Sequence, residues 1–202
     1  MTPRQLERRR RVIAAVQELV DEGRVRDLQV KEIGERAGVS LAAIYRYFSS
    51  KEHILAEALL EWARRFTDRR RPSGNGAQDF AVTVRRGVEA YRRHPHYAEL
   101  FLDVAASRDP YAVATFGRMS DGVSAALLDG VGGAGSELGT QIVAIVGNAW
   151  LGGLFACVHG RSDFAGLEES LDVACRLLLA GAETTAPASL GPPPLTRAHE
   201  VS

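Results

Sequence analysis

The sequence predicts an all-α protein in two parts: an N-terminal three-helix helix-turn-helix unit and a larger C-terminal helical bundle. Three observations predict it. Apolar residues recur at helical spacing along most of the 202 residues, and no segment reads convincingly as a strand. Residues 29–55 read as a helix, a three-residue turn, a short helix that begins at a hydroxyl, and the start of another. The remainder is punctuated by His94-Pro95, Asp109-Pro110 and the glycine-rich run Gly130 to Gly135, as helix-to-helix connections are.

The first helix is expected over Pro3 to Glu22, with Leu6, Ile13, Val16 and Val20 as its inner stripe and Gly23 as its stop. Arg8 to Arg11 wrap this helix and either approach DNA or stay solvated. Val30, Ile33 and Ala37 give the second helix one apolar face, and Gly38 can take the left-handed conformation that closes it. Ser40 can cap the third helix, Leu41 to Phe48, in which Ile44 and Phe48 pack inward. Tyr45, Arg46 and Tyr47 then point elsewhere, and a phenol–guanidinium–phenol run suits phosphates and base edges. The fourth helix is expected over Lys51 to Arg70, before Arg71-Pro72-Ser73-Gly74-Asn75-Gly76 breaks the pattern. Segments 78–93, 95–107, 109–129, 135–160 and 164–182 bring the helices to nine, and a disordered tail should follow from Thr184. The domains are therefore placed at 1–50 and 51–183, with 51–70 as connecting helix and 184–202 as tail.

Net charge is zero, but it is unevenly spread. Residues 1–71 hold 16 Lys and Arg against 11 Asp and Glu, whereas 72–202 hold 9 against 14. The positive part carries the helix-turn-helix, as phosphate binding requires. Cys157 and Cys175 lie in apolar helical patterns and read as buried thiols of a reducing compartment, with a redox pair as the alternative. No signal peptide opens the chain, and no unbroken apolar stretch reaches the ~20 residues of a membrane span, so a cytoplasmic protein with no membrane partner is expected. Phosphate-loop, zinc-protease and nucleophile-elbow patterns are missing, and no cofactor is implied, which argues against an enzyme. His94 and His96 lack an evident third ligand, so no metal site is assigned, and His53 is expected at the DNA-facing surface.

Ala37-Gly38-Val39-Ser40, Ile44-Tyr45-Arg46-Tyr47-Phe48 and Lys51-Glu52-His53-Ile54-Leu55 together resemble the signature of the TetR family of bacterial repressors. The resemblance implies a homodimeric repressor that binds a near-palindromic double-stranded operator. Its DNA-contacting residues would be Gln29, Ser40, Leu41, Ala42, Ala43, Tyr45, Arg46, Tyr47 and Lys51. Gln29 stands where the family usually has Thr or Ser, and Leu41-Ala42-Ala43 offer no long polar reader. Base reading would then lean on Arg46, Tyr45 and methyl contacts with thymine.

Segments 135–160 and 164–182 are apolar nearly all round and need cover on more than one side. A second copy would supply it, and Gly152-Gly153 would let another backbone come close. Phe101, Phe116 and Met119, with Asn148 as a polar anchor in an apolar run, are the candidate ligand-binding residues. Gln29, Tyr45 to Phe48, Ala149-Trp150-Leu151 and Arg176 to Leu179 are further similar to the KstR-type branch of the family. That likeness implies a small apolar effector of the steroid, lipid or acyl-CoA thioester kind. Two other readings stay open: a DNA-binding protein of this fold that answers to no small molecule, and a helical lipid- or CoA-binding module.

Overall fold

In the computed structural model, which describes residues 2–67, 75–129 and 136–185, nine helices and no strand occur among the described residues. They are α1 (Pro3–Asp21), α2 (Val30–Ala37), α3 (Leu41–Ile44), α4 (Lys51–Thr67), α5 (Gly76–Arg93), α6 (His96–Ala105), α7 (Pro110–Leu128), α8 (Glu137–Val158) and α9 (Phe164–Thr185). The predicted end of the fourth helix at Arg70 lies outside the described residues. The tail expected from Thr184 is corrected at its start, because α9 runs on to Thr185; the rest of it also lies outside them.

Local signals explain most of the helix starts. Thr2 and Gln5 form a reciprocal capping box on α1, and Pro3 takes the first turn, where its missing N–H costs nothing. Asp109 accepts from the backbone N–H of Tyr111 at 3.0 Å and of Ala112 at 2.8 Å, ahead of Pro110. Ser136 accepts from Gly139 at 2.9 Å and Asp163 from Gly166 at 2.8 Å, which opens α8 and α9. Gln29, in contrast, makes no side-chain cap on α2.

The N-terminal unit closes around Val12, Val16, Leu19, Leu28, Ile33, Ile44 and Phe48. Leu6, placed in the inner stripe from its spacing, is instead 42% exposed, because it precedes the part of α1 that meets its neighbours. α4 then enters the bundle, packing on α1 on one side and on α6 and α7 on the other. The bundle core is aromatic. Trp62 stacks on Tyr97 at 4.3 Å, and Tyr91 meets Trp62, Phe101 and Trp150 with tilted or edge-on rings. Gly87 makes room for this cluster, since a Cβ there would lie 2.5 Å from Trp150 Cη2.

α8 and α9 each bury one face and leave the other bare. Ile142, Val143, Val146 and Leu154 point inward, whereas Ile145, Leu151, Phe155, Val173 and Leu177 are exposed, Leu177 by 70%. The two glycines divide between these faces. A Cβ on Gly153 would lie 2.2 Å from Leu167 Cδ1, so Gly153 serves the α8–α9 contact within the subunit, and only Gly152 faces open space. By length and composition alone α8 is long and apolar enough to cross a membrane, although it contains no unbroken apolar stretch of ~20 residues. Thr140, Gln141 and Asn148 interrupt the apolar run, but they carry no charge, and its one acidic or basic residue, Glu137, sits at its start.

Candidate DNA-reading surface and regulatory core

The candidate reading surface depends on a sharp turn between α2 and α3. Gly38 takes φ 62°, a left-handed conformation that strains residues with a Cβ. The chain passes so close here that a Cβ on Gly34 would sit 2.8 Å from the Val39 carbonyl oxygen. Ser40 Oγ then accepts from the Ala43 N–H at 3.4 Å. The third helix is shorter than Leu41 to Phe48: regular α-helix ends at Ile44, and Tyr47 N–H bonds back to the Ile44 carbonyl at 2.8 Å in a tightened last turn.

Gln29, Ser40, Leu41, Ala42, Tyr45 and Arg46 are exposed together on this unit, and Ala43 and Lys51 are half-buried at its margin. Tyr47 departs from expectation. Its ring packs against the core, and its hydroxyl is buried with no hydrogen-bond partner among the described residues. The tightened turn rotates it inward, and the Arg46 guanidinium lies 6.0 Å from the centre of its ring.

Two more residues assigned toward DNA turn the other way. Arg9 Nη2 meets Glu57 Oε2 at 2.5 Å, and its guanidinium covers Phe48. His53 is mostly buried, between the Phe48 edge at 5.5 Å and the Tyr111 ring, stacked at 5.4 Å. Its Nδ1 accepts the Ser49 N–H at 3.2 Å, which leaves Nε2 to carry the proton in the neutral ring. Burial, and then the Arg9 charge, hold the His53 pKa below its usual value against the pull of Glu57.

Glu57 is the group that sequence reasoning missed. It is a carboxylate 8% exposed, within the buried run Ile54 to Leu60 of α4. Arg118 Nη2 donates to its Oε1 at 2.6 Å and Thr115 Oγ1 does so at 3.2 Å, both from α7. Burial alone would push its pKa up; the Arg9 hydrogen bond, the Arg9 charge and the Arg118 charge together bring it below the ordinary carboxylate value. A lone acid in a run that reads Ile-Leu-Ala-Glu-Ala-Leu-Leu was the available signal.

Of the candidate ligand residues, the structure brings together Phe101 and Phe116, edge to face at 5.3 Å, and buries Met119 one turn further along α7. Asn148 is not with them. It is exposed on α8, on the bare face that also carries Ile145, Gly152 and Phe155, so it is no buried anchor of that core. A separate groove of about 720 Å³ runs between α5 and α9, rimmed by Arg85, Glu168, Asp172 and Arg176. The Cys175 thiol, also on its wall, is pushed up to about 11 chiefly by burial, and burial raises Cys157 too, so neither is an activated thiol.

The profile of bacterial regulatory proteins of the tetR family matches residues 13–58, and that of the tetracyclin repressor-like C-terminal domain matches residues 75–178. The chain belongs to the TetR family. It is 29% identical over 185 residues to the HTH-type transcriptional repressor KstR of Mycolicibacterium smegmatis, covering 87% of this chain and 88% of that protein. KstR of Rhodococcus jostii is 27% identical over 183 residues, covering 87% and 84%. A TetR regulator from Rhodococcus sp. RHA1 shares the fold with a TM-score of 0.77, at 23% identity over 87% of this chain and 97% of that one. FadR of Thermus thermophilus, a TetR-family repressor solved in complex with lauroyl-CoA, gives 0.61 at 20% identity over 91% and 98%. A TetR regulator of this kind reads DNA through the helix-turn-helix and carries its second domain behind it, which is the order of parts seen here.

Proposed function

We propose that this TetR-family protein is a homodimeric cytoplasmic repressor whose exposed α3 face enters the major groove of a near-palindromic operator, and whose bundle takes an apolar effector with a charged end. The exposed cluster around Tyr45 and Arg46 carries the proposal. It stands beside the N-terminus of α4, where Ser50 Oγ accepts the His53 N–H at 2.9 Å and Lys51 adds a cation. A phosphate at that helix end would meet the first backbone N–H groups of α4 and the ammonium. The bare apolar faces of α8 and α9, which a second copy would cover, support a two-fold dimer. Asn148 supports this, because an amide both donates and accepts and so complements its own copy across a two-fold axis.

For the effector, the support is the KstR resemblance, the acyl-CoA bound by the FadR neighbour, and the aromatic surroundings of Phe101, Phe116 and Met119. The closed ring contacts in that core favour a second reading, a DNA-binding protein that responds to no small molecule. Both are tested by selecting operators from a randomised duplex pool, then titrating lauroyl-CoA, lauric acid and a polar drug into the complex. Selection of a palindromic sequence with release by the thioester supports the full proposal. Selection without release by any compound favours the second reading, and failure to enrich any sequence would refute both.

A further inference from the structure

We infer that Glu57 is the positioning residue that ties the DNA-reading unit to α7, so that operator binding and the arrangement of α7 are one coupled equilibrium. The inference rests on the DNA-binding role proposed above and adds the side chain through which that role is controlled.

The two carboxylate oxygens of Glu57 are divided between the two parts of the protein. Oε2 takes Arg9 of α1, and Oε1 takes Arg118 and Thr115 of α7. Arg118 Nη2 also donates to Thr115 Oγ1 at 2.9 Å, so the α7 side is a closed triangle. His53 Nε2 stands 3.6 Å from Oε1, and its ring fills the space between Phe48 and Tyr111. A buried carboxylate cannot shed one partner cheaply, because the exposed alternative of water is missing. Moving α7 therefore forces Glu57 either to follow, carrying Arg9 and α1, or to lose a charged bond.

α7 is also the helix that would report a bound effector. Phe116 and Met119 lie on it immediately beside Thr115 and Arg118, and Phe116 meets Phe101 of α6. A ligand that parted those rings would shift the partners of Glu57. The same link must run in reverse, since coupling between two binding events is reciprocal.

The test needs no effector. Hydrogen–deuterium exchange of α7 amides is followed in the full chain, with and without a saturating duplex obtained by the selection above. Operator should slow exchange around residues 112–119 by about fivefold or more in the wild type, within the usual range of such coupling. Arg118→Met and Glu57→Gln should still bind the duplex but show less than about twofold protection there, while Arg118→Lys restores part of it. Arg118 is 56% exposed along its side chain, so its variants remain folded even should Glu57→Gln not. Full α7 protection in Arg118→Met, or none in a wild type that binds its duplex, would overturn the inference alone. A wild type that enriches no duplex would overturn the DNA-binding reading and this inference with it.

Discussion

The adjacent glycines of α8 give the sharpest test of how the subunits meet. A Cβ at 153 would lie 2.2 Å from Leu167 Cδ1, and Leu167 is buried, whereas at 152 nothing among the described residues stands within 4 Å. Gly153→Leu should overpack the α8–α9 contact inside each subunit. Overpacking typically costs about 1–3 kcal/mol, and a clash this close belongs near the upper end. The gain in helix propensity returns about 1 kcal/mol, leaving a net loss of about 2 kcal/mol. For a chain of this length that is a fall in melting temperature of about 4–8 °C, at any protein concentration. Gly152→Leu should do the opposite: each subunit folds normally, but the new side chain projects into the space where the partner's helix would lie. Sedimentation velocity across micromolar concentrations, with thermal melts of both variants, separates the two effects. A Gly152→Leu protein that stays dimeric with wild-type affinity would refute the assigned seam. A Gly153→Leu protein that melts like wild type would refute the packing argument.

Lys51→Ala should weaken DNA binding over all sequences and flatten the salt dependence by about one unit per half-site, read from a titration of affinity against salt. Arg46→Ala should cost about 1–3 kcal/mol and relax preference at one base pair per half-site in a randomised-operator library; uniform weakening would assign it to a phosphate instead. Gln29→Ser supplies the cap that α2 lacks and should add about 1 kcal/mol, about 2–4 °C in melting temperature, and an unchanged melt would count against it. Because folding lowers the Glu57 pKa, its stabilising share is complete above the unfolded carboxylate value of about 4.3 and is lost as pH falls through the folded value. Urea midpoints measured from pH 6 to pH 3 should therefore drop more steeply for wild type than for Glu57→Gln, and parallel profiles would contradict the assigned partners.

The sequence carried local structure well because local structure has local causes. Gly38 in a left-handed turn, Ser40 as a cap and Asp109 before Pro110 each act within a few residues, and each occurs as read. Side-chain direction was harder wherever tertiary contacts decide it. Tyr45 and Tyr47 look alike in the chain, yet one tightened turn exposes the first and buries the hydroxyl of the second. Arg9 sits among five arginines of α1, and only the placement of Glu57 on α4, 48 positions away, distinguishes it. Asn148 is exposed where its spacing suggests a polar anchor, because α8 is apolar on nearly all sides and periodicity offers no contrast by which to orient it.

The proposed reading surface has a consequence for methylated DNA. Leu41 and Ala42 present only methyl and methylene carbons outward, with Ala43 at their edge. In a major groove such carbons distinguish bases by the C5 methyl of thymine. Cytosine methylated at C5 displays the same group at the same place. An operator cytosine facing this patch would gain a methyl contact on methylation, so the proposed surface would couple occupancy to C5 methylation of the operator.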